Sequence, residues 1–109
     1  MAVGLYKYDG NINDRNSKLI LSENIVSQQF YEKYWERAIE ELNIKCMQDG
    51  AEINFSKKDI VLEELKLLLY WAQRNLQGED LEYMKSRIKN LQKVVPIALD
   101  DESSILYIF

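Results

Sequence analysis

The side chains of this sequence that are grouped closely enough to do chemistry together are carboxylates: Glu40 with Glu41, Glu63 with Glu64, and the run Asp100, Asp101 and Glu102. Two acids facing a cleft are enough to hydrolyse a glycosidic bond or to help hold a magnesium ion. Each group also has a plainer explanation. Glu63 and Glu64 fall near a helix start, Glu40 and Glu41 can pair with Arg37 and Lys45, and residues 100–102 make a solvated turn. The sequence contains no histidine, which removes the commonest neutral-pH base and the commonest transition-metal ligand. Cys46, the single cysteine, has no imidazole to lower its pKa. Ser22, Ser56 and Ser86 read as helix caps or helix surface rather than nucleophiles. Gly4, Gly10, Gly50 and Gly78 are isolated, so no glycine-rich loop offers successive amides to a phosphate. These residues lead to the expectation of a protein that is not an enzyme and carries no cofactor or metal.

A different pattern appears in "FYEKYWERAIEEL", residues 30–42. Glu32, Glu36 and Glu40 recur every four positions, and like charges so placed destabilise an isolated helix by roughly 0.2–0.5 kcal/mol per pair. Lys33 and Arg37 stand three residues before Glu36 and Glu40 and can neutralise them locally. The alternative is that the stripe receives basic side chains from a partner protein, where complementary charge speeds association.

The 109 residues are expected to form one domain, 1–109, with 47% hydrophobic and 29% charged residues, an ordinary globular composition. Eighteen acids against fourteen bases give a net charge of −4, which repels a phosphate backbone, so no direct nucleic-acid partner is expected. With one cysteine no internal disulfide can form, which favours a reducing, cytoplasmic setting. The first twenty residues lack the apolar stretch of a secretory signal. The longest apolar runs, "LLLYWA" and "VVPIAL", fall far short of the roughly 20 residues that span a bilayer, so no membrane association is expected.

The elements that must position these groups read as α+β. "AVGLYKY" predicts an N-terminal strand, followed by a polar loop around residue 13. Ser22 as N-cap and Gly50 as terminator bound a first helix over about 23–48, with Tyr31, Trp35, Ala38 and Leu42 on its buried face. Its tail has a competing reading as a hairpin, "IKCMQ" turning at Asp49-Gly50 into "AEINF". Ser56 and Asp59 suggest a capping box for a second helix over 57–76, whose broad apolar surface marks it as central. Glu79 and Asp80 suit the first turn of a third helix over 80–94, with a seam of Leu81, Met84, Ile88, Leu91 and Val95 and a stop near Pro96. "ILYIF" predicts a strand buried on both faces and paired with the N-terminal one in a small sheet. The aromatics, seven Tyr, two Trp and three Phe, read as core, with Trp35 and Trp71 as plugs between the first two helices rather than as a stacking platform for bases.

Taken together, "FYEKYWERAIEELNIKCMQDG", "INFSKKDIVLEELKLLLYWA", "YMKSRIKNLQKVV" and "ILYIF" resemble the small immunity proteins of bacterial polymorphic toxin systems, including those of contact-dependent growth inhibition. The resemblance implies a cytoplasmic, acidic protein that neutralises one cognate toxin domain by covering its active or substrate-docking surface. Charge would be complementary where the toxin is a basic nuclease, and no cofactor is implied. Such families carry no motif that transfers residue by residue, so the candidate partner-binding residues are the exposed acids: Glu32, Glu36 and Glu40, then Asp100, Asp101 and Glu102. The alternative is a non-enzymatic structural or regulatory interaction module, a homodimer for instance, that binds another helix through its seam.

Overall fold

The computed structural model describes residues 2–9 and 17–109; the expected polar loop around residue 13 lies outside them. The chain is α+β, with a four-stranded antiparallel sheet in the order β2-β1-β4-β3. Strand β1 spans Ala2–Asp9 and β2 spans Lys18–Ser27. Helix α1 covers residues 28–42 as three consecutive pieces, an α turn Gln28–Phe30, a π-helical stretch Tyr31–Trp35 and an α segment Glu36–Leu42. Strand β3 is Glu52–Asn54, helix α2 is Lys58–Asn75, helix α3 is Gly78–Ala98 and strand β4 is Ile105–Ile108.

The two terminal strands pair as their composition suggests, Leu5 opposite Ile108 and Lys7 opposite Leu106. The sheet is nevertheless larger than the sequence indicated. Residues 23–27, assigned to the first helix, belong to β2, which runs beside β1 from Ala2 opposite Ser27 to Asp9 opposite Lys18. "ILSENIVS" satisfies its backbone in the ladder, and Ile20 and Ile25 are bulge residues left without a β1 partner at the two register shifts. The first helix therefore starts five residues later than expected. Ser27, not Ser22, caps it, its hydroxyl accepting from the Phe30 amide at 3.2 Å. It ends at Asn43, whose φ of 60° supplies the left-handed conformation expected of Gly50.

Residues 44–51 form neither a helix end nor a hairpin arm; instead they lead into β3, which pairs with β4 through Ile53 opposite Leu106. Helix α2 follows a 3-10 turn, Phe55–Lys57, and has no side-chain cap. Ser56 donates to Asn54 Oδ1 at 2.6 Å, so the expected box with Asp59 does not form. Helix α3 is longer than 80–94, with Pro96 inside its last turn. Proline there removes one amide donor, and the helix closes two residues later at Ala98.

The core is one cluster in which the sheet meets the inner faces of all three helices. The seam read in α3 is correct: Met84, Ile88, Leu91 and Val95 are fully buried and Leu81 packs against them. In β4, Leu106 and Ile108 are buried, while Ile105 and Tyr107 on the other face are half-buried rather than enclosed. Helix α3 runs antiparallel to β2 and is fastened along it. Tyr83 accepts from the Ser27 amide, Arg87 donates to the Ile25 carbonyl, Asn90 donates to Glu23, and at the far end Lys7 donates to the Ala98 carbonyl. Tyr83 and Arg87 also occupy backbone groups of an edge strand that would otherwise be open to pairing. Among the described residues no helix is long and apolar enough to cross a membrane.

Candidate functional site

The outer face of α1 is held in place by aromatics on its inner face. Trp35, almost wholly enclosed, donates from its indole to the Met47 carbonyl at 3.0 Å, and Tyr31 accepts from the Asp49 amide at 2.8 Å. Tyr34 donates to Asp80 at 2.7 Å, tying α1 to the first turn of α3. Near its end, Glu41 accepts from the Trp71 indole of α2. Four contacts, two with the segment after α1 and one each with α2 and α3, thus fix which residues of α1 face outward.

Glu32, Glu36 and Glu40 are all exposed. Glu36 and Glu40 lie one turn apart in the α segment, as the spacing implied. Glu32 lies in the π-helical stretch, where the Glu36 amide donates to the Tyr31 carbonyl. Its carboxylate accepts from Gln28 at 3.1 Å.

The local neutralisation that the sequence allowed does not occur. Lys33 lies over the Tyr34 ring, 5.1 Å from its centre, and Arg37 lies over the Trp71 ring at 5.4 Å. Arg37 approaches Glu41 at 3.9 Å, not Glu40, and Lys45 pairs with neither Glu40 nor Glu41. Among the described residues, no base stands within ion-pair distance of Glu36 or Glu40. Both neighbouring cations are held by aromatic faces, whose quadrupole attracts them.

Asp100, Asp101 and Glu102 are exposed but lie elsewhere. Asp80 touches α1 at the start of α3, and Asp100 follows the end of the same helix, about 30 Å away along its axis. Asp100 pairs with Lys7 at 3.2 Å and accepts from Ser104 at 2.8 Å. Asp101 accepts from the Ser103 amide at 2.8 Å and from its hydroxyl at 2.6 Å. The Ser104 hydroxyl and the Lys7 ammonium hold the Asp100 carboxyl below its ordinary pKa, and the Ser103 contacts do the same for Asp101. Glu102 is exposed and has no ion pair among the described residues.

Glu64, read as an acid near a helix start, is buried, and its carboxylate accepts from three successive amides: Lys45 at 2.8 Å, Cys46 at 3.0 Å and Met47 at 2.9 Å. It satisfies the backbone donors of residues 45–47, which lie in no regular element. The signal was available, because position 64 falls on the same face of α2 as Val61, Leu68 and Trp71. Cys46 is buried beside it, and burial, with the Glu64 charge, pushes the thiol pKa up.

Sequence reasoning also missed a groove beside α1. Leu42 of α1 and Leu67, Tyr70, Trp71 and Arg74 of α2 line an open depression of about 570 Å³. Leu67, Tyr70 and Arg74 are spaced by three and four and share one face of the helix. Among the described residues, no group of three or more acids or cysteines is placed to hold a metal ion. No protein-family model matches this chain, and no curated protein or solved structure matches it.

Proposed function

We propose that this protein works by binding: it is an antitoxin-like immunity protein that covers a basic surface of a cognate protein toxin with the outer face of α1. The observation that carries the proposal is the state of Glu36 and Glu40. Among the described residues no base pairs with them, although Lys33 and Arg37 are near in sequence, because those cations lie on Tyr34 and Trp71. Two carboxylates on a helix, with no ion-pair partner among the described residues, raise the local negative potential where a cationic partner would dock. In this mechanism Glu36 and Glu40 steer and orient the partner, Glu32 adds to that charge, and the protein supplies shape rather than bond-making groups. The Asp100–Glu102 turn stands at the opposite end of α3, so a partner engaging both acidic regions must span that helix.

The test begins with co-purification from native cells and identification of the bound protein. That protein, expressed alone, is expected to arrest growth, and co-expression with this chain to restore it. A captured partner that is harmless by itself would contradict the toxin reading.

One observation favours the second reading, a self-associating interaction module. Ile20, Leu21, Val94 and Ile97 border a cleft of about 250 Å³, and Ile97 is 75% exposed. Sedimentation of the purified protein separates the readings, since a module of this kind is dimeric and the immunity reading requires no second copy.

A further inference from the structure

The helices pack on the sheet face that carries Leu5, Ile53, Leu106 and Ile108, all buried. The opposite face carries Tyr6, Tyr8, Leu19, Ile105, Tyr107 and Phe109, and none of these six is enclosed; Leu19 and Phe109 are each 50% exposed. Register sets them side by side, Tyr8 opposite Leu19 and Tyr6 opposite Tyr107. Phe109 joins them through Gly4, with which it exchanges both backbone hydrogen bonds, at 2.8 and 3.1 Å. A Cβ at Gly4 would stand 2.5 Å from the Tyr6 hydroxyl oxygen, so the Tyr6 ring lies down over Gly4, where it stacks on Phe109 at 4.5 Å. Tyr8 meets Tyr107 edge-on at 6.1 Å. These contacts make a low, continuous aromatic layer.

Charge is nearly absent from it. Among the described strand residues in register on this face, only Glu52, on the outermost strand β3, is charged, in a chain with 29% charged residues. Aromatic residues at the centre with charge kept to the margin are the composition of a homodimer interface.

We propose that this face binds the same face of a second copy in a twofold dimer, the two sheets stacked about 10 Å apart. Electrostatics selects the occupant. Copies with a net charge of −4 repel one another, and approach through this face joins their least charged surfaces while the acidic face of α1 stays in the helix layer on the other side of each sheet. Size fits as well. Strands about 4.8 Å apart that rise about 3.4 Å per residue give the face about 400 Å² in projection. Two such faces, with their side-chain relief, come to about the 1,200 Å² at which specific interfaces begin, so the dimer is of micromolar strength. Helix α1 remains open in it, and the inference rests on neither functional reading. It differs from the interaction-module reading in place, since that dimer is seated in the Ile97 cleft on the helix side of the sheet.

The test is sedimentation equilibrium of the full chain, of Leu19→Lys, of Phe109→Lys and of Ile97→Lys, with circular dichroism to confirm that each is folded. Lysine lowers the net charge, so any dissociation reports on the face and not on added repulsion between copies. The wild type is expected to dimerise with a dissociation constant of about 1–100 μM, Leu19→Lys and Phe109→Lys to weaken the dimer at least about tenfold, and Ile97→Lys to leave it unchanged. A monomer at every concentration, a dimer that either sheet variant leaves intact, or one that Ile97→Lys takes apart would overturn the inference.

Discussion

Arg37 holds its guanidinium over the indole of Trp71, 5.4 Å from the ring centre, and not beside Glu40, three residues further along its own helix. The choice follows from position. Arg37 lies on the side of α1 that faces α2, where an aromatic ring and the Glu41 carboxylate are both within reach. The consequence is electrostatic, because among the described residues no base is left to pair with Glu36 or Glu40.

Replacing Arg37 by alanine should therefore change association more than stability. An exposed cation–π contact is worth about 0.5–1 kcal/mol, and a surface ion pair adds little. Urea denaturation should show a loss of no more than about 1 kcal/mol. Stopped-flow mixing with a basic partner should show faster association at low salt, with the gain disappearing as salt is raised. A slower variant would mean that Arg37 itself touches the partner.

Glu64→Ala should be among the most damaging single changes to the fold. Three amides lose a charged acceptor inside the protein, and a hydrogen bond to a charged group is worth about 1.5–3 kcal/mol even before the cost of stranded donors. The expected loss in urea denaturation is about 3 kcal/mol or more, with faster amide exchange concentrated at residues 45–47. Exchange that rises evenly over the whole chain would show that the carboxylate does not organise this segment.

Cys46 reports on the same segment. Its thiol is buried and its pKa raised by burial and by the Glu64 charge, so it should resist iodoacetamide in the native protein at neutral pH. Alkylation should accelerate in Glu64→Ala below the urea midpoint. Equal rates in the two proteins would place the opening that exposes Cys46 elsewhere.

The turn at 100–104 should respond to acid in a defined direction. In the fold, Asp100 is held below the ordinary carboxylate range by Ser104 and Lys7, and Asp101 by Ser103. Unfolded, both return to that range. Their contribution to stability is thus complete above the ordinary carboxylate pKa and is lost as pH falls through the lowered folded values. Carboxyl-carbon NMR titration should show Asp100 rising toward the ordinary value in Ser104→Ala while Asp101, held chiefly by Ser103, moves less. A Ser104→Ala titration identical to wild type would contradict the assigned cause.

Where one face of an element is uniformly apolar, the sequence was legible: the Met84–Val95 seam, the Tyr31, Trp35 and Ala38 face, and the pairing of the terminal strands all stand in the structure. Reading failed where a segment could satisfy its backbone in two ways. "SENIVS" carries helix-compatible residues, and only its partner β1 makes it a strand. Residues 44–51 show no periodicity, and the amides of 45–47 are met by a side chain, Glu64, eighteen residues downstream of Cys46. The acidic stripe was visible in outline, but the π-helical stretch within it and the Trp71 ring that holds Arg37 were not, the latter because it comes from another helix. The Tyr70 groove could have been noticed from the spacing of Leu67, Tyr70 and Arg74, but the run of apolar neighbours in α2 masked it.

The central claim, that α1 engages a basic protein through Glu36 and Glu40, is tested most directly by measuring the dissociation constant of the native partner for wild type and for the folded double variant Glu36→Lys, Glu40→Lys. The account predicts binding weakened at least about tenfold at low salt, with the difference shrinking as ionic strength rises. Equal affinity of the two proteins, at any salt, would contradict it.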